Sequence, residues 1–143
     1  MDFHYIAVEG PIGVGKTSFV EMLATQLNAN KIFEDINNPF LKDFYRDNPG
    51  AAFQTQLFFL LSRYQQQQKL QQADLFEQTI ICDYIFQKDK IFAYLNLNDS
   101  ELLIYEKLYL LLESNVPKPD LVIYLQATQD VLLQRIKKRN VEY

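Results

Sequence analysis

One stretch of eight residues limits what this chain can fold into: Gly10-Pro11-Ile12-Gly13-Val14-Gly15-Lys16-Thr17. It follows an apolar, β-rich run from Phe3 to Val8. It precedes a segment from Thr17 to Leu27 in which Phe19, Val20, Leu23 and Leu27 recur at helical spacing. The stretch fits G-x-x-x-x-G-K-[ST] at every fixed position, with a strand before it and a helix after it. Glycines let the backbone curl so that successive N–H groups point inward at oxygens, and the helix N-terminus adds the positive end of its dipole. Such a loop is built for the phosphates of a nucleoside triphosphate. Gly10, Gly13, Val14, Gly15, Lys16, Thr17 and Ser18 are the candidate contacts. Lys16 would bring a cation to the β- and γ-phosphates, and the Thr17 hydroxyl is placed to ligate Mg²⁺.

The rest of the chain alternates in the same way. Lys31-Ile32-Phe33, Thr79 to Cys82 and Leu121 to Leu125 read as further strands. Helical patterns run over Phe40 to Tyr45, Ala51 to Ala73, Phe86 to Ala93 and Asp99 to Glu113, and a last one begins near Thr128. Four strands separated by helices predict an α/β fold, a parallel sheet with helices on both faces. Ligands in such sheets sit at the carboxyl ends of the strands, where Glu9, Glu34, Asp83 and Gln126 fall. The run Gln65 to Gln68 lies inside a helical pattern and reads as a solvated helix face. With 143 residues, 48% of them hydrophobic and 22% charged, the expectation is a single globular domain over 1–143. A net charge of −4 argues against a nucleic acid polymer as partner, because that binding rests on Lys and Arg. No stretch of about 18 apolar residues could span a membrane, and no signal peptide is evident, so the cytoplasm is the expected compartment. Cys82 has no partner in the chain for a disulfide and reads as a small buried residue, and His4 reads as filler in the first strand.

Several side chains outside the loop suggest chemistry. Asp83 ends a strand and is placed either as a second Mg²⁺ contact or as the N-cap of the next helix. Glu34 ends another strand and could take a proton from an attacking hydroxyl, with Asp35 competing for the role. Gln56 and Arg63 share a helix face, and a glutamine amide with an arginine fork could read a base. By spacing alone a solvated polar stripe is the stronger explanation, as it is for most helices. Arg135 and Arg139 share a face of the last helix, and are either cations over a transferring phosphoryl group or a basic helix end.

Taken together, these residues resemble the deoxynucleoside kinases, in particular the bacterial deoxyadenosine/deoxyguanosine kinase-like branch of the P-loop kinases. The resemblance rests on Val8 to Ser18, Asn38-Pro39-Phe40-Leu41 with Phe44-Tyr45, Phe53 to Leu57 with Leu61-Ser62-Arg63, Asp83 to Phe86 with Lys88-Asp89-Lys90, and Pro117 to Asp120 with Tyr124 to Ala127. It implies transfer of the ATP γ-phosphate to the 5′-hydroxyl of a deoxynucleoside, most readily a purine one, with Mg²⁺. By position it implies Glu34 as general base and Tyr45 at the 3′-hydroxyl. It implies Gln56 on the base (Gln54 is the alternative by motif), Arg63 and Asp89 at the far edge of the base, Phe92 stacked on it, and Arg135 and Arg139 in a lid. It also implies a homodimer packed through helices. Two departures stand out. The family's acid-Arg pair is Asp83-Tyr84 here. The chain also stops at Glu142-Tyr143, inside the expected lid, so that a three-layer sandwich without its last strand is expected. The competing readings are a nucleoside monophosphate kinase of the thymidylate kinase type and a nucleotide-binding fragment without catalysis.

Overall fold

The computed structural model describes residues 3–11, 13–73 and 78–139; the side chains of 71–73, 135, 136, 138 and 139 lie outside that description. The elements run β1 (Tyr5–Glu9), α1 (Lys16–Leu27), β2 (Asn30–Ile32), α2 (Leu41–Tyr45), α3 (Ala51–Ala73), β3 (Ile80–Cys82), α4 (Lys88–Asn96), α5 (Asp99–Glu113), β4 (Leu121–Tyr124) and α6 (Gln129–Arg139). The expected alternation is therefore present, with element ends moved by a few residues. The largest shift is in α4. Phe86 belongs to the turn before it, where Asp89 N–H donates to Phe86 O and Lys90 N–H to Gln87 O, both at 3.2 Å.

The chain forms two compact units, one of Met1–Glu34, Phe76–Ile85 and Lys118–Tyr143, the other of Asp35–Leu75 and Phe86–Pro117. The first holds a four-stranded parallel sheet in the order β2-β3-β1-β4. This is an α/β fold. Pairings such as Ile6 with Ile81 and Val8 with Ile123 fix its register. Ile6, Val8 and Ile81 pack with Val20 and Ala24 of α1, which explains why the helix after the loop carries apolar residues on one stripe. Asp120 ties the entry of β1 to that of β4: its Oδ2 accepts from His4 N–H at 2.8 Å and Tyr5 N–H at 2.9 Å. Those two donors hold the Asp120 carboxyl below the ordinary aspartate value. Cys82, in the central region of the sheet, has its thiol pushed up to about 12 by burial, so it stays a neutral core residue.

In the second unit, Leu60, Phe86, Ala93, Tyr105, Tyr109 and Val116 form the core. The Tyr109 ring stacks on Phe86 at 5.4 Å and on Tyr105 at 6.0 Å. Helix α5 opens with a capping box, in which the Asn98 side chain accepts from Glu101 N–H and the Glu101 carboxylate from Asn98 N–H. Along α3 the buried residues Gln56, Leu60, Arg63, Gln67 and Leu70 recur every three or four positions, one inward stripe that mixes polar and apolar side chains. This corrects the reading of Gln65 to Gln68 as a solvated face, since Gln67 is fully buried.

Candidate functional site

The phosphate loop follows the central strand β1. Gly13 and Gly15 have φ of 85° and 92°, left-handed values that side chains resist, and Gly15 is the N-cap of α1. At Gly10 the constraint is space rather than φ. A Cβ there would lie 2.9 Å from Leu125 O and 3.0 Å from Val14 Cγ1. Glycine thus lets the chain after β4 press against the start of the loop. Val14 N–H donates to Pro11 O at 3.2 Å, closing the turn. Lys16 begins α1, and Thr17 and Ser18 are exposed in its first turn. Ile12 lies outside the described residues.

Sequence reasoning placed Glu9 at a strand end and gave it no role. In the structure its Oε1 accepts from Gly10 N–H at 3.0 Å and pairs with Lys16 Nζ at 3.4 Å, while Oε2 accepts from Ile85 N–H at 3.3 Å. Glu9 joins the loop, its lysine and the segment after β3. The signal was available, since a carboxylate directly before a phosphate loop faces its lysine, but the third contact crosses strands and is invisible in sequence.

Asp83 is buried at the end of β3, and its Oδ1 accepts from Glu34 N–H at 2.6 Å. Asp83 N–H donates to Ile32 O at 3.2 Å. The N-cap of α4 is Gln87, so Asp83 does not cap that helix; it anchors the backbone of Glu34 instead. Glu34 is partly exposed. Among the described residues no group of three His, Cys, Asp or Glu side chains could hold a metal. Arg135 and Arg139 lie on α6, and their side chains are outside the described residues.

The second unit gathers the other candidates. Gln56 is 3% exposed, and its Nε2 is a buried donor with no hydrogen-bond partner. Gln54, the alternative, points to solvent. Arg63 and Asp89, both buried, form an ion pair through Nη1 and Oδ1, and the Arg63 guanidinium lies 5.1 Å from the Phe59 ring centroid. The solvated-stripe explanation of Gln56 and Arg63 therefore fails. Tyr105, unmarked by the sequence, donates its hydroxyl to Asp89 Oδ2. Burial and then the Asp89 charge push the Tyr105 phenol well above its ordinary value, so it remains a donor. Tyr45 ends α2, half-exposed and stacked on Phe44 at 5.5 Å. Phe92 is exposed on α4, with Lys88 Nζ 5.8 Å from its ring centroid. The segment before α2 is held to α3, where Asn38 Nδ2 donates to Thr55 O at 3.0 Å and Thr55 Oγ1 to Phe40 O at 3.2 Å.

A strand, glycine loop and lysine-headed helix at the carboxyl end of a parallel sheet define a P-loop nucleotide-binding α/β protein. Within that class the chain belongs to the deoxynucleoside kinase family, whose profile matches residues 6–143. It is 41% identical over 139 residues to the deoxyguanosine kinase of Bacillus subtilis, and the match covers 94% of this chain and 66% of that protein. It is 38% identical to the deoxyadenosine kinase of Dictyostelium discoideum, covering 95% of this chain and 57% of that one. The chain thus spans two thirds or less of these relatives' length. The deoxyadenosine kinase of M. mycoides, solved with the products dCMP and a flexible dCDP bound, superposes with a TM-score of 0.77 at 28% identity, over 96% of this chain and 72% of that one. The same enzyme with bound dATP gives 0.76 at 27% identity, over the same shares.

Proposed function

We propose that the chain is the larger part of a single kinase domain that transfers the γ-phosphate of ATP to the 5′-hydroxyl of a deoxynucleoside, with a purine base preferred. The observation that carries this reading is Gln56: a buried amide, unspent within the protein, on the same helical stripe as the Arg63–Asp89 pair. An unsatisfied buried donor costs stability unless a ligand uses it, and a glutamine amide matches the N6/N7 edge of adenine. A neutral base suits this set. The names of the relatives, deoxyguanosine and deoxyadenosine kinases, point the same way.

In this mechanism Glu34 takes the proton of the 5′-hydroxyl as its oxygen attacks the γ-phosphorus. The O5′–P bond forms, and the bond from phosphorus to the β–γ bridging oxygen breaks, releasing ADP. Asp83 holds the Glu34 backbone, so the base does not drift. Lys16 leaves Glu9 for the phosphate oxygens, and Arg135 and Arg139 add cations from α6. Thr17 and Asp83 would hold a magnesium ion, which would supply neutralisation of phosphate charge. Tyr45 serves the 3′-hydroxyl, and Phe92 the face of the base. We extend the reading to the cytoplasm, where ATP and free deoxynucleosides meet; among the described residues no helix is long and apolar enough to cross a membrane. We extend it also to a homodimer through helices, because α5 turns Leu103, Ile104, Leu110 and Leu111 to solvent.

A second reading, nucleotide binding without catalysis, is favoured by Tyr84. It stands where the resemblance puts an arginine; it is fully buried, and a phenol carries no positive charge in any case. Assays with deoxyadenosine, deoxyguanosine, thymidine and dTMP separate the readings. Phosphorylation of a purine deoxynucleoside is expected. ATP binding with no product would favour the second reading, and turnover of dTMP alone would mark a monophosphate kinase. Glu34→Gln should lower kcat roughly a hundredfold or more while sparing ATP binding; an unchanged kcat removes Glu34 as the base.

A further inference from the structure

Tyr105 lies on α5, a helix to which no ligand role falls, yet its hydroxyl reaches the Asp89 carboxylate across 16 residues of sequence. That carboxylate is held from two sides, Oδ1 by Arg63 of α3 and Oδ2 by Tyr105 of α5. All three side chains are buried. The Tyr105 ring is itself fixed, stacked against Tyr109, which stacks against Phe86. An ionised carboxylate accepts but cannot donate, and a buried one turns toward whatever donors surround it. Arg63 approaches Asp89 from α3 and Tyr105 from α5, so the two donors constrain the carboxylate from different directions. With a phenol on the other oxygen, the plane of the pair is set.

We propose that Tyr105 is a positioning residue for deoxynucleoside recognition: it fixes the Asp89 carboxylate, and through it the Arg63 guanidinium, in the orientation that meets the base. The inference rests on the proposed kinase function and adds to it a specificity element from a third helix. Removing the hydroxyl leaves the ring, its stacking and its volume in place, so the change is confined to one hydrogen bond on a charged group.

The test is isothermal titration of deoxyadenosine, deoxyguanosine and ATP into the full chain, as wild type, Tyr105→Phe and Tyr109→Phe. The last variant removes a buried phenol from the same stack. Tyr105→Phe is expected to weaken deoxynucleoside binding about tenfold, the low end for a lost hydrogen bond to a charge, and to leave the ATP Kd unchanged. Tyr109→Phe should leave both unchanged. Equal deoxynucleoside affinity in Tyr105→Phe and wild type would overturn the inference and leave the kinase reading intact. So would equal weakening by Tyr109→Phe, or a parallel loss of ATP affinity, since either marks a merely structural phenol. A wild type that binds no deoxynucleoside would overturn both.

Discussion

At the scale of single residues, the phosphate loop shows two separate reasons for glycine. Gly13 and Gly15 need left-handed backbone, which the motif itself announces. Gly10 needs room, because Leu125 O would lie 2.9 Å from a Cβ there. Backbone cannot yield as a side-chain end can. Gly10→Ala is therefore expected to cost about 1–3 kcal/mol, in the range of overpacked sites, and to weaken ATP binding by moving the loop. Urea melts and nucleotide titration measure both, and a variant with unaltered midpoint and affinity would show that the loop absorbs the methyl. Glu9 belongs to the same scale. Its carboxylate meets Lys16 and also braces Gly10 and Ile85, so the lysine starts from a defined place before any phosphate arrives.

At the scale of elements, the sheet is held at its amino end by one carboxylate. Asp120, just before β4, accepts the N–H groups of His4 and Tyr5 at the entry of β1, and its own N–H donates to Tyr5 O at 2.8 Å. Its carboxyl is depressed in the folded state, so its contribution is present above the unfolded value, near 3.9, and is lost as pH falls through the folded one. Asp120→Asn should flatten the pH dependence of the melting temperature below about pH 4. An identical acid limb in variant and wild type would remove Asp120 as its source. Other elements were readable directly. Helix α5 begins where expected, and the structure adds a capping box of Asn98 with Glu101 that the sequence reading did not use. Helix α4 begins two residues later than its apolar pattern suggests, because Phe86 turns into the core against Tyr109 rather than opening the helix.

At the scale of the molecule, each compact unit has its own core, and the second is built around a charge. Asp89 is fully buried and answers to Arg63 and Tyr105. Breaking such a pair leaves an uncompensated buried cation, so Asp89→Ala should cost about 3–5 kcal/mol. Hydrogen exchange should show faster opening of α3, α4 and α5, whose packing surrounds Asp89. Unchanged exchange there would mean that the pair contributes no net stability. The polar stripe of α3 is costly to bury, and its Gln56 donor remains unspent, which is what a binding site leaves on offer.

Local spacing by itself determined much of this protein. The loop from Gly10 to Thr17, the alternation of strands and helices, the parallel sheet and the strand-end acids Glu34 and Asp83 all follow from patterns a few residues long. Short-range sterics and hydrogen bonding act over that range. Tertiary structure alone decided which polar residues are buried and what they meet. Gln67 reads as one glutamine in a solvated run until the helix is seen to turn it inward. Tyr105 reads as one more tyrosine on an amphipathic helix until α5 brings it to Asp89. Glu9 and Ile85 meet across 76 residues, and Asp83 and Glu34 across 49. A polar residue on a helix or at a strand end carries the same local signal whether it faces water or a buried charge. Only the packing of distant segments removes the water, and that removal gives these side chains their partners.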